Sequence, residues 1–167
     1  MDIVVGRLFA EHDKSNLAYE PLTEELVSAV TRPGHPLMGV SNLGLRDVHG
    51  AGWIVPPAGS VLRHRFDLMF QQEGLSPPIN TIETSALLFT TRMLQQSDMV
   101  GVLATEVANY YASHGLLSIL PMDMSCHMDA FGLITRTDRL LSPGAKVLMK
   151  ALKQTCLVQY GIRLSPE

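Results

Sequence analysis

The sequence predicts an α/β protein whose chain is shared between two subdomains. Short apolar runs typical of strands alternate with longer stretches of helical periodicity. Two irregular crossings, RPGHPLM and PMDMSCHM, flank a middle region that holds several such alternations. We therefore expect a subdomain II over residues 41–121 and a subdomain I made of residues 1–40 and 122–167.

The composition fits a folded protein that does not bind nucleic acid through this stretch. Its 167 residues are 46% hydrophobic, which is enough to bury a core. With 13 Lys and Arg against 16 Asp and Glu, the formal charge is −3 and no dense basic cluster is present to meet phosphates. The N-terminal apolar run is too short for a signal peptide, and no run approaches a membrane span, so we expect a cytoplasmic protein.

The N-terminal segments predict a strand and a stiff crossing. DIVVGRL is a β-rich apolar run of the kind that is buried on both faces in the middle of a sheet. In RPGHPL, each proline pushes the preceding residue, Arg32 or His35, into an extended conformation. We interpret Arg32, His35 and Pro36 as one hinge segment and Pro121 as part of the second. We expect His35 to hydrogen-bond a backbone group of the crossing, contact with the ligand being the alternative.

The middle region begins with a strand, GWIVPP, and a helix, VLRHRFDLMFQQEG, with Ser60 as its N-cap and Gly74 just after its end. The strand INTIE follows, and Thr84 or Ser85 is expected to cap a helix through SALLFTTRMLQQ. The strand DMVGVLA leads into the helix TEVANYYASHG, which stops at Gly115, and LLSILP reads as a fourth strand. This alternation predicts a parallel, doubly wound sheet.

The C-terminal region predicts one strand, FGLITR, and one helix opened by Ser142 and Pro143. Its apolar stripe comprises Ala145, Leu148, Met149, Leu152, Cys156 and Tyr160, and ends at Gly161. Lys146, Lys150 and Lys153 fall on the other face, which we interpret as solvated surface, a partner site being the alternative.

Polar residues at helix starts indicate where a small ligand would bind. Ser60, Thr84 and Ser85 each follow a strand, and the free N–H groups after them, beginning at Val61, point with the positive helix end toward one rim. Arg7 follows the strand DIVVG and suits a carboxylate. Capping alone is the alternative explanation for the three hydroxyl residues, and a surface ion pair is the alternative for Arg7.

An enzyme is the competing class, and the residues argue against it. Ser60, His64 and Asp67 lie on one short helix without the strand-turn-helix context that exposes a nucleophile. Neither a metal-ligand spacing nor a phosphate-binding glycine loop is present, so we expect no catalytic residue, no metal and no cofactor. The ligands considered for a metal and set aside are His114, Asp123, Cys126, His127 and Asp129. The two cysteines, Cys126 and Cys156, are expected to be buried thiols.

The chain contains, in this order, the segments DIVVGRL, YEPLTEELVSAVTRPGHPL, GWIVPPAGSVLRHRF, INTIETSALL, SDMVGVLATEVANYY and FGLITRTDRLLSPGAK. As an ordered set, they resemble the effector-binding domain of LysR-type transcriptional regulators. Within that family the chain is most similar to the branch that responds to protocatechuate or galactose. The resemblance runs from Asp2 to about Lys153.

The resemblance implies a fold like the type 2 periplasmic binding proteins, with the effector in the cleft between two subdomains. It also implies a dimer or tetramer whose DNA contacts come from an N-terminal helix-turn-helix that this sequence does not contain. The opening part of subdomain I is likewise expected to be missing. The expected effector is a small carboxylate or a sugar, and a solute-binding protein of the same fold is the alternative function.

Overall fold

The computed structural model describes residues 2–8 and 15–160. The strands are β1 (Ile3–Gly6), β2 (Leu17–Thr31), β3 (Trp53–Val55), β4 (Thr81–Glu83), β5 (Val100–Ala104), β6 (Ser118–Ile119) and β7 (His127–Arg136). The α-helices are α1 (Leu45–Val48), α2 (Val61–Gln72), α3 (Leu87–Gln95), α4 (Thr105–Ser113) and α5 (Pro143–Tyr160). A short 3₁₀ helix covers Pro36–Gly39. The predicted α/β class is confirmed.

The chain divides into two compact units. The first comprises Met1–Glu25 and Asp129–Glu167, and the second comprises Leu26–Met128. The division falls inside β2 and inside β7, whereas the predicted subdomain limits follow residues 40 and 121. The predicted limits were placed at irregular segments, but β2 and β7 are long strands, so regular structure continues across the division. The subdomain limits as functional boundaries stay a prediction.

In the second unit, the strands are ordered β2-β5-β3-β4. β3 is parallel to both β4 and β5, which confirms the predicted parallel arrangement for these three strands. β2 is antiparallel to β5, and the two-residue β6 is antiparallel to β2, so the predicted all-parallel sheet is wrong at these positions. The long β2 comprises LAYEPLTEELVSAVT, which the sequence analysis left unassigned, and it adds an antiparallel neighbour to the parallel core.

Both faces of the second unit's strands are covered. Trp53 and Val55 face a core formed with α2, whereas Ile54 between them faces a core formed with α3 and α4. The alternation follows from the period of two along a strand. The Trp53 ring lies 5.0 Å from Phe66 and 5.9 Å from Phe70, and its indole N–H donates to the Val48 carbonyl at 3.0 Å.

In the first unit, β1 pairs with β7 in antiparallel register, and α5 packs on this region through a small core of Leu22, Leu133 and Cys156. β1 was expected to be buried on both faces, but Val4 is 41% and Val5 is 52% exposed, so that prediction is wrong among the described residues. A run of apolar letters does not distinguish a central strand from a strand with only one neighbour.

The helix signals were mostly correct. Ser60 caps α2 and Gly74, with φ +69°, follows its end; Gly115 has φ +67° after α4. Ser142 accepts the Ala145 N–H at the start of α5. On α5, Ala145, Met149, Leu152 and Cys156 pack inward as expected.

Two features of the helix and crossing predictions are wrong. Leu148 is 53% exposed on α5, whereas Tyr160 keeps a ring contact with Phe131. RPGHPL forms a turn with Gly34 at φ +71°, followed by the 3₁₀ helix, and is not an extended crossing throughout. Prolines restrict their own φ and the preceding residue, but a glycine between them allows a reversal.

Candidate functional site

A pocket of about 250 Å³ lies within the second unit, at the carboxyl ends of β3, β4 and β5. Because the three strands are parallel, α2, α3 and α4, which follow them directly, all begin at this edge. Ligands of open α/β sheets bind at such edges. The pocket is lined by Ile54, Val55, Pro56, Ser60, Leu62, Thr84, Ser85, Leu87, Thr90, Val102, Leu103 and Ala104.

Ser60 lines the pocket and also caps α2. Its backbone is extended, with φ −76° and ψ 150°, and its hydroxyl oxygen accepts the Arg63 N–H at 3.3 Å. The same hydroxyl donates to the Pro57 carbonyl at 2.8 Å. Both hydrogen-bonding functions of this hydroxyl are therefore in use, and the capping explanation accounts for its contacts.

Thr84 and Ser85 line the pocket, but neither is the N-cap of α3. That position belongs to Ala86, which has no side chain able to cap. Thr84 instead accepts the Ala86 N–H through its hydroxyl oxygen at 3.0 Å, in a local turn before the helix. The prediction that one of them caps the helix is wrong, because the chain makes this turn first and the helix begins later.

Val61 and Arg7 lie apart from the pocket lining. The Val61 side chain packs against the core beneath α2. Arg7 belongs to the first unit, where its guanidinium donates to the Asp129 carbonyl at 2.7 Å and pairs with Glu25 at 2.6 Å. These contacts match the ion-pair alternative, and a ligand carboxylate would have to compete with Glu25 for Arg7.

The charged groups near the α2 start are paired with each other. Arg63 donates to Asp67 at 3.0 Å and to Glu83 at 2.5 Å. The hydrogen bond from Arg63 lowers the pKa of Glu83, and the Ala58 N–H adds to this effect. Glu83 therefore stays ionised, and Arg63 balances its charge. Glu83 directly precedes Thr84 but does not line the pocket.

Sequence reasoning missed Thr90 and the wall formed by the end of β5. Thr90 is only 5% exposed and reaches the pocket one helical turn after Leu87. Val102, Leu103 and Ala104 come from a strand distant in sequence from Ser60. A threonine on the buried side of an otherwise apolar helix was an available signal for Thr90. The contribution of β5 needs the strand order, which no local pattern gives.

The residues interpreted as hinges lie inside the second unit. Arg32 pairs with Asp98 at 2.6 Å. His35, 5% exposed, accepts the Leu37 N–H at Nδ1, so its proton lies on Nε2, which donates to the Asp98 carbonyl at 3.1 Å. Pro36 begins the 3₁₀ helix and Pro121 follows β6. The backbone role expected for His35 is confirmed, and the hinge role of these residues stays a prediction.

A second depression of about 450 Å³ surrounds α1. Its lining is rich in charged side chains, among them Arg46, Asp47, Glu73 and Asp123. Arg46 donates to the Glu73 carbonyl at 3.3 Å. This depression does not lie at the strand ends where the three helices begin.

The geometry gives no support to the catalytic and metal alternatives. Asp67 is held by Arg63, and the Ser60 hydroxyl is held by Pro57, so the pair does not form a relay with His64. Burial raises the pKa of Cys126 to about 11, which keeps the thiol protonated near neutral pH. Over residues 2–8 and 15–160, no group of three His, Cys, Asp or Glu side chains is arranged to hold a metal ion. Both cysteines are buried thiols, as predicted.

Comparison with known proteins settles the family. The family model described as LysR substrate binding domain matches residues 1–157. The chain belongs to the LysR substrate-binding domain family. A LysR-type relative, the HTH-type transcriptional regulator GbpR of Azospirillum brasilense, is 34% identical over 154 residues, which are 92% of this chain and 45% of that protein. GalR of Pseudomonas putida, also an HTH-type transcriptional regulator, is 34% identical over 95% of this chain and 40% of that protein.

The LysR domain fold is supported by solved structures. The CcmR regulatory domain of Synechocystis, solved in complex with 2-PG, superposes with a TM-score of 0.75 at 17% identity, covering 93% of this chain and 73% of that one. The predicted fold like the type 2 periplasmic binding proteins is thereby confirmed. The relatives are transcriptional regulators and not enzymes, which confirms the non-catalytic assignment. The chain spans less than half the length of these two relatives.

No helix in the described part of the LysR domain is long and apolar enough to cross a bilayer.

Proposed function

We propose that this chain is the effector-binding part of a DNA-binding transcriptional regulator, and that it binds a small carboxylate or sugar-like inducer. One observation carries the proposal: a pocket of about 250 Å³ at the edge where α2, α3 and α4 begin. Unsatisfied N–H groups and positive helix ends favour polar or anionic ligands at such an edge. The family membership supports the same function.

The regulatory mechanism follows from linkage. An inducer changes the arrangement of subunits only if it binds one arrangement more tightly than another. A tenfold to hundredfold difference in affinity corresponds to about 1.4 to 2.7 kcal/mol of coupling. In the complete regulator, which we place in the cytoplasm, DNA would be contacted by a helix-turn-helix outside this sequence. The names of the HTH-type relatives and the fraction of their length that this chain spans support that assignment. Placement of the inducer between subdomains, with Arg7 as a contact, stays a prediction.

Association into dimers or tetramers is part of the proposal. Its support in the chain is apolar surface in the second unit: Leu88 and Phe89 on α3 are 73% and 44% exposed, and Ile79 before β4 is 97% exposed. We expect Leu88→Glu to lower the mass that light scattering measures at a given concentration. An unchanged mass would remove this surface from the interface.

The experiment that tests the inducer site is a calorimetric binding screen on two variants of the 167-residue chain. Ser85→Phe places a ring at the pocket mouth, where Ser85 is exposed, so the fold should tolerate it. Ser76→Phe places the same ring at an exposed position that does not line the pocket. The screen covers aromatic acids, their ring-opened products, sugars and sugar acids.

We expect each compound that binds the unmodified chain to lose at least about tenfold in affinity in Ser85→Phe and to keep its affinity in Ser76→Phe. A compound class that binds all three proteins equally would show that the inducer site lies elsewhere in the chain.

A further inference from the structure

The pocket at the ends of β3, β4 and β5 is lined by only two kinds of residue, apolar residues and residues with a hydroxyl group. Eight of its lining residues are apolar: Ile54, Val55, Pro56, Leu62, Leu87, Val102, Leu103 and Ala104. The other four are Ser60, Thr84, Ser85 and Thr90, so the lining includes neither a charged side chain nor an amide nor an aromatic ring. A ligand here meets hydrocarbon over most of its surface, with hydroxyl groups as the polar side chains of the lining.

Three of the four hydroxyl groups have hydrogen-bonding capacity left for a ligand. Thr84 uses an oxygen lone pair for the Ala86 N–H, so its O–H remains available as a donor. The hydroxyls of Ser85 and Thr90 make no hydrogen bond to any residue of the described part of the chain. Ser60 has both of its functions occupied.

Thr90 is the unusual member of this set, because the residue is only 5% exposed and its hydroxyl, which faces an open pocket, has no partner among the described residues. Hydroxyl groups of buried residues are normally hydrogen-bonded. Its neighbour Thr91 is equally buried, at 4% exposure, and follows the rule by donating to the Leu87 carbonyl at 2.8 Å. Thr90 differs by lining the pocket, where a ligand would supply the partner.

The backbone at the same edge favours negative charge. In the first turn of α2, the Arg63 N–H is satisfied by Ser60, whereas the Val61 and Leu62 N–H groups have no acceptor among the described residues. The positive ends of the 12-residue α2 and the 9-residue α3 meet here. The nearest carboxylate in sequence, Glu83, is neutralised by Arg63. An anion would therefore find donors at the starts of α2 and α3, with Glu106 in the first turn of α4 as the remaining carboxylate at this edge.

We propose, resting on the function proposed above, that the ligand of this pocket is a small monocarboxylate with a compact apolar body, and that Thr90 donates a hydrogen bond to its carboxylate. The volume of about 250 Å³ accommodates one six-membered ring and its head group, since an apolar cavity of about 150 Å³ holds benzene. A sugar of the same size is disfavoured. It would bury hydroxyl groups against Ile54, Val102 and Leu103, where nothing can hydrogen-bond them.

The first test compares four probes by titration calorimetry on the 167-residue chain: benzoate, cyclohexanecarboxylate, benzyl alcohol and D-galactose. We expect the two carboxylates to bind, because they combine an apolar ring with an anionic head. Benzyl alcohol, which keeps the ring and loses the charge, should bind about tenfold more weakly or worse. D-galactose should show no binding up to about 10 mM, above the millimolar range of weak affinities.

The second test assigns the head-group contact with a matched pair of variants. Thr90→Val removes the hydroxyl at nearly constant shape and should weaken benzoate about tenfold while leaving the affinity of benzyl alcohol within about twofold. Thr91→Val removes an equally buried hydroxyl that does not line the pocket, so it should lower the melting temperature of the free chain without changing benzoate affinity. The melting temperature of each free variant reports its folding.

The outcomes separate this inference from the function on which it rests. Binding of D-galactose that Ser85→Phe abolishes would overturn the monocarboxylate inference and leave an inducer pocket at this edge. Failure of both carboxylates to bind would overturn the inference, while the wider screen with Ser85→Phe and Ser76→Phe decides the proposed function. Equal losses of benzoate affinity in Thr90→Val and Thr91→Val would remove Thr90 as a ligand contact.

Discussion

The two compact units differ in how completely their strands are covered. In the second unit, β3 is buried on both faces, with Trp53, Ile54 and Val55 each no more than 2% exposed. In the first unit, β1 leaves Val4 and Val5 exposed, and α5 carries Val158 at 83% exposure. Since burial of apolar area is the main stabilising contribution, the same kind of apolar sequence contributes very differently in the two units.

The largest expected effect comes from truncating the aromatic cluster of the second unit. Phe70 is fully buried between Trp53 and Phe66, so Phe70→Ala should lower the free energy of unfolding by about 3 to 5 kcal/mol. The matched truncation in the first unit, Val5→Ala, removes a half-exposed side chain and should cost about 0.5 kcal/mol or less. Urea denaturation followed by circular dichroism measures both. Similar losses in the two variants would contradict the contrast between the units.

The next effect concerns a tightly packed position of the first unit. A Cβ on Gly132 of β7 would lie 2.2 Å from the Glu20 carbonyl oxygen and 2.7 Å from the Tyr19 ring. Backbone cannot yield cheaply, so Gly132→Ala should cost about 3 kcal/mol, the upper part of the range for overpacking. Hydrogen exchange of peptides from β1 and β7 would report the loss.

Gly144→Ala is the control for that variant, because Gly144 lies in α5 of the same unit and its Cβ would meet nothing within 4 Å. It should be neutral or slightly stabilising, as expected for Gly to Ala in a helix. Unchanged hydrogen exchange of β1 and β7 in Gly132→Ala would contradict the prediction, because it would mean that β7 and β2 accommodate the added Cβ without loss of structure.

The smallest effect is a pH dependence at the surface of the second unit. The Arg63 hydrogen bond holds the pKa of Glu83 below its ordinary value of 4.5, so the unfolded chain binds this proton more readily than the folded chain. The contribution of Glu83 is therefore fully present above pH 4.5 and is lost as the pH falls through the lowered pKa. Glu83→Gln should be less stable than the parent near pH 7 and should approach it on acidification.

Melting temperatures measured across the acid range check this, with Glu106→Gln on the exposed surface of α4 as the control. A stability difference between Glu83→Gln and the parent that stays constant down to low pH would remove the ion pair as its cause.

The sequence predicted those parts of the fold that are signalled within a few residues. Ser60 with Gly74, and Ser142 with Pro143, mark helix ends by capping chemistry that does not depend on the rest of the chain. β2 escaped assignment because Pro21 and three acidic residues interrupt its apolar pattern. β1 was placed too centrally because burial depends on neighbours that its own letters do not specify.

The same distinction between local and non-local signals applies to the residues of the site. Ser60, Thr84 and Ser85 were found because they follow strands and precede helices, which is a local pattern. Thr90 and the end of β5 were missed because they reach the pocket through the order of the strands and the packing of α3. Arg7 was selected for the chemistry of its guanidinium. That group forms an ion pair with Glu25 of β2, which no local pattern around Arg7 indicates.

The packing of Trp53 has an optical consequence. It is the single tryptophan of the chain, it is fully buried, and Phe66 and Phe70 surround its indole. Its fluorescence should therefore be that of an indole shielded from water, with emission at short wavelength and weak quenching by iodide. Because Val55, two residues later on the same strand, lines the pocket, the chain carries an intrinsic label close to the ligand and confined to the second unit.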